Sequence, residues 1–230
     1  MDATATGLGL QDSTSSVESS LEVTSPSNVT FTDSGQSLGG SHSYDVELDD
    51  VDDDGDLDAF VANSGQSNKV WINDGSGTFT DSGQSLGGSY STDIELGDVD
   101  DDGDLDAFVA NYNQGNKVFI NDGNGDFTDS GQSLVFNKSY GVELGDVDGD
   151  GDLDAFVANY LYQGNKVWLN DGSGHFTDSG QSLGSSSSHD VELGDVDNDG
   201  DLDAFIPNHY IGDKVWLNDG NGNFTDSGQS

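Results

Sequence analysis

Apolar and polar positions along residues 140–179 change register in a fixed order. Tyr140, Val142 and Leu144 alternate with Gly141, Glu143 and Gly145, a period of two that predicts a strand with one buried face. Leu153-Asp154-Ala155-Phe156-Val157-Ala158-Asn159 is apolar on both faces apart from Asp154, which predicts an inner strand of a small sheet. The loop Tyr160-Leu161-Tyr162-Gln163-Gly164-Asn165 leads to a third strand, Lys166 to Asn170. Asn170-Asp171-Gly172-Ser173-Gly174 then signals a hairpin, because Asn, Asp and Gly tolerate positive φ. A fourth strand follows at His175 to Ser179.

The whole pattern occurs four times, at a period of 48, 48 and then 49 residues. Four short antiparallel strands per repeat, at that period, are the signature of a propeller blade. The predicted fold is therefore all-β, a β-propeller of four-stranded antiparallel blades, with four blades at about 44–86, 92–134, 140–183 and 189–230. Stacking the blades turns Phe60, Phe108, Phe156 and Phe205, with Trp71, Phe119, Trp168 and Trp216, into packing between them. Residues 30–36 repeat the fourth strand a fifth time, and this extra strand is expected to cap an edge or to join one chain to another as a homo-oligomer. Residues 1–28, ahead of the repeats at 29–230, read as a low-complexity or disordered segment. Pro207 stands where the other repeats have Ala, and predicts a weakened ladder or a bulge there.

Between the first two strands of each repeat lies an acidic loop. Carboxylates fall at loop positions 1, 3, 5 and 9, with Gly at 6, and position 7 is an Asp that offers its backbone carbonyl. The candidate ligands are Asp50, Asp52, Asp54, Asp56 and Asp58; Asp98, Asp100, Asp102, Asp104 and Asp106; Asp146, Asp148, Asp150, Asp152 and Asp154; and Asp195, Asp197, Asp199, Asp201 and Asp203. Hard oxygen donors at this spacing suit Ca²⁺, and without an ion the carboxylates repel one another. About four calcium ions per chain are expected. The loop is not an EF-hand: position 12 is Val61, Val109, Val157 or Ile206 where a bidentate Glu belongs, so the Asp at position 9 has to close the site.

Charge narrows the partners. With 45 acidic and 5 basic residues the formal charge is −40, and four divalent ions would still leave −32. Such a surface argues against nucleic acid and anionic membranes, and no apolar run is long enough for a membrane span. No Cys is present. Calcium loops in this number point to an extracellular or cell-surface location, where the ion is millimolar, although Met1-Asp2-Ala3-Thr4 shows no signal peptide.

On these residues the chain resembles the FG-GAP/VCBS repeat family, the calcium-binding blades of integrin α-subunit propellers. The likeness runs over about residues 29–230. It rests on the Asp-x-Asp-x-Asp-Gly-x-x-Asp loop and the Asn-Asp-Gly-x-Gly-x-Phe hairpin, four times in register. The resemblance implies Ca²⁺ in the loop joining the first two strands of each blade, and a ring of seven blades where this chain has four.

Function is expected at the opposite end, where the loops vary most. Tyr112, Tyr160, Tyr162, His209 and Tyr210 stand there beside Asn and Gln, as on a surface for a glycan or protein ligand, or as a cover for the inner apolar rim. Two readings follow: an extracellular calcium-stabilised binding or adhesion module, lectin-like and carbohydrate-binding, or a structural repeat that assembles with other copies of itself. Catalysis is not expected, since no nucleophile elbow appears and the four His residues occupy unrelated repeat positions.

Overall fold

The computed structural model describes residues 30–88 and 90–229. All regular elements among them are β-strands. The chain divides into residues 1–35 and residues 36–230. In the first unit, residues 30–35 carry no strand, and Gly35 N donates to Asp33 Oδ1 at 2.8 Å. The segment expected to be low-complexity or disordered at 1–28 lies outside the described residues.

The second unit holds the repeats. Repeat 1 contains β1 (Ser43–Asp49), β2 (Asp58–Asn63), β3 (Lys69–Asn73) and β4 (Phe79–Asp81). Repeat 2 contains β5 (Ser91–Gly97), β6 (Asp106–Ile120) and β7 (Thr128–Asp129). Repeat 3 contains β8 (Leu134–Gly145), β9 (Asp154–Asn159), β10 (Lys166–Leu169) and β11 (Thr177–Asp178). Repeat 4 contains β12 (Ser187–Ser188), β13 (Glu192–Gly194), β14 (Asp203–Ile206), β15 (Asn208–His209), β16 (Lys214–Leu217) and β17 (Thr225–Asp226).

Repeat 1 is a separate four-stranded sheet in the order β1-β2-β3-β4, and repeat 4 forms another, β13-β14-β16-β17, both antiparallel throughout. Repeats 2 and 3 share one seven-stranded sheet, because residues 112–116 of β6 pair with residues 134–138 of β8. At the other junctions this crossing is reduced to isolated bridges, Ser64 with Tyr90 and Asn68 with Leu86 at the first, and Asn165 with Leu183 at the third. The difference follows from the linker: Leu134-Val135-Phe136-Asn137 stands where the others read Leu86-Gly87-Gly88 and Leu183-Gly184-Ser185, and β-branched and aromatic residues favour strand over Gly and Ser. In repeat 4 the ladder between the first two strands is cut in two, β12 with β15 and β13 with β14. Pro207 sits at the cut and has no N–H to donate. Four equal, separate blades are thus not what forms, and the sheets do not close into a ring.

The extra strand expected at 30–36 is also corrected. β4, β7, β11 and β17 each exist by pairing with a preceding strand of their own repeat. Residues 30–36 have no such strand ahead of them among the described residues, and remain irregular.

Three junctions between repeats bury the core, each with the same ten positions. Val51, Phe60, Ala62, Val70 and Leu86 of repeat 1 meet Ile94, Ala107, Val109, Phe119 and Phe127 of repeat 2. Repeats 2 and 3, and 3 and 4, repeat this set in register. At the centre of each junction two rings meet edge to face: Phe60 with Phe127 at 5.0 Å, Phe108 with Phe176 at 5.3 Å and Phe156 with Phe224 at 5.1 Å. Phe205, expected to pack likewise, is instead 44% exposed, with none of the described repeats packed on it.

Polar hooks reinforce each junction. Gln84 Nε2 donates to Gly125 O at 2.6 Å and its Oε1 accepts from Phe127 N at 2.8 Å. Gln36, Gln132 and Gln181 make the same two bonds onto the repeat that follows each of them. Gly97 and Gly145 lie against leucines of the next repeat, where a Cβ would come within 2.8 Å of Leu153 and 2.9 Å of Leu202. Repeat 1 has Asp49 at this position and turns its carboxylate aside, accepting from Asp50 N at 2.9 Å. Lys69, Lys117, Lys166 and Lys214 each pair with an Asp of the same repeat's last strand, at 3.0–3.3 Å. Partly exposed pairs of this kind contribute about 0–1 kcal/mol each.

Candidate functional site

The acidic loops are built where one repeat meets the next. In repeat 2 the Asp106 side chain is fully buried, and its two oxygens accept from Val99 N at 3.1 Å and Asn121 N at 2.8 Å. Asp58, Asp154 and Asp203 are buried in the same way and accept from the corresponding amides. Asp50 accepts from Asp54 N at 3.1 Å and Gly55 N at 2.9 Å, which curls the loop around its own first residue.

The geometry brings carboxylate oxygens of positions 1, 3 and 9 within 4.8 Å of one another in three loops: Asp50, Asp52 and Asp58; Asp98, Asp100 and Asp106; Asp146, Asp148 and Asp154. In the fourth loop the group is Asp195, Asp197 and Asp199, all exposed. Position 5 of the first three loops, Asp54, Asp102 and Asp150, stands outside these groups but continues the same turn, and Asp203 stands outside the fourth. At position 7, Asp56, Asp104, Asp152 and Asp201 direct their side chains to the hairpin glycines Gly75, Gly123, Gly172 and Gly220. A Cβ on Gly172 would sit 2.7 Å from the Asp152 carboxylate, so these glycines are required both by their positive φ, 72° at Gly172, and by the close approach. None of these position 7 carboxylates belongs to the grouped oxygens.

Do these residues suit a metal? Oδ1 of Asp52, Asp98 and Asp100 is buried with no hydrogen-bond partner among the described residues. A buried unpaired carboxylate oxygen is costly, and a cation is what satisfies it. The donors are oxygen alone, the set that hard divalent ions prefer. The four loops can therefore hold metal ions.

Each of the first three loops is finished by the next repeat. Asn121 Nδ2 donates back to Val51 O at 2.9 Å, Asn170 Nδ2 to Val99 O at 2.8 Å and Asn218 Nδ2 to Val147 O at 2.7 Å. Gly174 N and Gly222 N add bonds to Val99 O and Val147 O. These carbonyls belong to loop position 2, directly between two acidic residues. Val51, Val99 and Val147 are 1% exposed, whereas Val196 of the last loop is 50% exposed.

Burial without a counter-ion shifts the acids upward. Desolvation pushes the Asp106 carboxyl up to about 7 and the Asp154 carboxyl up to about 6, despite the amides they accept from. On the first strands of the repeats, burial takes Asp93 to about 9, Glu95 to about 8 and Glu143 to about 7, with neighbouring carboxylates adding to the shift. A carboxyl raised in the fold stabilises it fully below its unfolded value near 4, and that contribution is lost as pH rises through the folded value. The chelated chain is thus expected to melt at a higher temperature at pH 5 than at pH 8, by circular dichroism. Equal melting at the two pH values would contradict this origin of the shifts.

At the other end of the strands, about 20 Å from the loops at about 3.3 Å per residue, the aromatic residues converge. A cavity of about 540 Å³ is lined by Tyr44, Tyr90, Tyr112, Tyr140 and Tyr160, with Ser64, Thr92, Asn113 and Gln114 supplying polar groups. Tyr140 is central, 6.2 Å from Tyr112, 5.2 Å from Tyr160 and 4.7 Å from His189, ring centre to ring centre. Beyond it, His189 Nε2 lies 3.2 Å from His209 Nδ1, and His209 stacks on Tyr210 at 4.2 Å. Of the residues expected here, Tyr112 and Tyr160 line the cavity and His209 and Tyr210 extend its edge. Tyr162 does not line it and points outward, 67% exposed. Tyr44, Tyr90, Tyr140 and His189 were not anticipated.

Solved structures share this architecture at low identity. One is an Agrocybe aegerita lectin, described for specific recognition of non-reducing terminal N-acetylglucosamine: TM-score 0.55, 22% identity, covering 80% of this chain and 51% of that one. Another is BBS1N in complex with ARL6DN: TM-score 0.53, 9% identity, covering 81% of this chain and 56% of that one. The chain thus spans about half the length of each, and the likeness establishes a propeller-like fold alone. No curated protein matches the chain. The model of the FG-GAP-like repeat matches residues 50–109, 98–157 and 146–206. Each window begins on the first aspartate of one acidic loop and runs through the next, so across most of its repeat region the chain belongs to the FG-GAP-like repeat family.

Proposed function

We propose that this chain is an extracellular binding module whose acidic loops take Ca²⁺ and whose tyrosine-lined cavity takes a carbohydrate. The observation that carries the reading is the cavity itself: about 540 Å³, walled by tyrosine rings and edged by Asn113 and Gln114. Flat apolar faces with hydroxyl and amide groups around them match a sugar ring, which offers C–H groups on one face and hydroxyls at its rim. The lectin among the structural neighbours fits this reading, and the oxygen-only loops fit Ca²⁺. Calcium acts at a distance from the ligand, by holding the repeats in register beneath the cavity.

The test is glycan binding on an array, followed by titration of the best ligand. Tyr140→Ala removes the ring that touches both Tyr112 and Tyr160, and is expected to weaken binding about 2- to 12-fold, the loss of one stacking contact of about 0.5–1.5 kcal/mol. Calcium uptake by the variant should be unchanged. An array with no bound glycan, or a Tyr140→Ala variant that binds as well as the parent, would overturn the assignment.

A further inference from the structure

Two histidines 20 residues apart in the chain meet in repeat 4. His189 Nε2 stands 3.2 Å from His209 Nδ1, with the ring centres 4.7 Å apart and the planes at 87°. Strand pairing brings them together: Ser187 pairs with His209 and Ser188 with Asn208, and His189 N donates to Pro207 O at 3.2 Å. In the other repeats the same two positions hold Tyr44 with Ser64, Thr92 with Tyr112 and Tyr140 with Tyr160. Repeat 4 alone carries imidazole at both. Because the two residues occupy different repeat positions, their meeting is invisible in the sequence.

Aromatic rings hold the pair in place. His189 packs on Tyr140 at 4.7 Å and on Tyr160 at 5.0 Å, while His209 lies 6.5 Å from Tyr160 and stacks on Tyr210 at 4.2 Å. The two nitrogens are thus set by contacts within repeat 4 and against repeat 3. Burial, with His209 beside it, holds the His189 imidazole below its ordinary value, so the ring is neutral near pH 7 and keeps a lone pair. The Asp190 carboxylate opposes that shift in part, and favours a cation nearby.

We infer that His189 Nε2 and His209 Nδ1 form a site for a late first-row transition ion, of the zinc and copper class, separate from the acidic loops. Metal–nitrogen bonds of about 2.0–2.1 Å put two ligands about 2.9 Å apart at a right angle and about 3.3 Å apart at the tetrahedral angle. The observed 3.2 Å falls between these, so the pair closes on one ion by rotating the two rings, with water in the remaining positions. The ion takes the place of the hydrogen that the two nitrogens otherwise share. Imidazole suits Zn²⁺, Cu²⁺ and Ni²⁺, whereas the oxygen-only loops suit hard Ca²⁺, so the two kinds of site select different ions from one solution. The formal charge of −40 draws cations of either kind toward the chain. An ion held here stands beside Tyr140 and Tyr160, at the edge of the tyrosine-lined cavity, and fixes the His189 ring against them.

The probe is Cu²⁺, the strongest binder of the divalent series, titrated into the calcium-saturated 230-residue chain. Electron paramagnetic resonance reads the ligands, because imidazole nitrogen splits the copper signal and carboxylate oxygen does not. The expected result is that the first equivalent of copper shows two imidazole nitrogens. His189→Gln and His209→Gln should each lose that two-nitrogen signal and weaken copper at least about tenfold, since even groups that only support a metal's ligands are worth about 10–100-fold. His42→Gln and His175→Gln, at other repeat positions, should bind copper as the parent does. Each variant is checked for an unchanged calcium-bound melt, and if one fails that check the nitrogen count of the parent decides. Copper held by oxygen alone or by one nitrogen in the parent, or His189→Gln and His209→Gln variants that bind it as the parent does, overturns the proposal.

Discussion

Asp106→Ala is expected to cost about 5 kcal/mol of stability in saturating Ca²⁺ and to remove one bound ion per chain. Two losses add. The side chain is fully buried and accepts from Val99 N and Asn121 N, and truncation leaves both amides without a partner, at about 1–3 kcal/mol. An ion at a hundredfold excess over its dissociation constant contributes about 2.7 kcal/mol, and Asp106 shares its loop site with Asp98 and Asp100. For a chain of this length the sum lowers the melting temperature by about 10–20 °C. Differential scanning calorimetry and ion counting by equilibrium dialysis read the two halves separately. A variant that keeps its full complement of ions would remove Asp106 from the site.

Asn170→Ala is expected to weaken an ion that Asn170 does not touch. Its Nδ2 donates at 2.8 Å to Val99 O, 71 residues earlier, and at 3.1 Å to Leu153 O. Val99 lies between Asp98 and Asp100, so losing the bond frees the loop of repeat 2 while the side chain at fault belongs to repeat 3. Val99 O keeps its bond from Gly174 N, so the two amide bonds lost put the cost at about 1–3 kcal/mol. A loop held less rigidly binds its ion several-fold more weakly. Asn73→Ala is the control, because Asn73 reaches no preceding loop. Calorimetric titration should show one ion weakened in Asn170→Ala and none in Asn73→Ala. Equal effects in the two variants would mean that the cross-repeat bond does not support the loop.

Much of this was legible in the sequence, for an identifiable reason. The acidic loop and the Asn-Asp-Gly hairpin are local structures whose residues lie close together in the chain, so four copies in register expose them directly. Pairing across junctions is different. That Asn170 serves the loop of the preceding repeat cannot be read from Asn170, since its other bond, to Leu153 O, already accounts for its place in the hairpin. The strand expected at 30–36 failed on the same ground: Phe31 to Ser37 has the right residues, but a strand is made by its partner.

The cavity was half visible. Ser64, Tyr112, Tyr160 and His209 occupy one repeat position, and their variation drew attention to it. Tyr44, Thr92, Tyr140 and His189 occupy another that varies as much, at the same 48, 48 and 49 spacing. Ser43 pairs with Asn63 and Asp45 with Ala62, so Tyr44 falls at a register shift at the end of the ladder, and it lines the cavity together with Ser64. Reading the variable positions by strand pairing, rather than by loop, would have found both.

The central claim is that divalent ions in loops shared between neighbouring repeats hold the stack together. Titrating Ca²⁺ into the metal-free chain while following ion uptake and thermal unfolding tests it most directly. The account predicts three ions bound tightly, a fourth bound more weakly in the exposed loop of Asp195, Asp197 and Asp199, and a melting temperature that climbs as the first three sites fill. No uptake at millimolar Ca²⁺, or a melting temperature indifferent to it, would contradict the account.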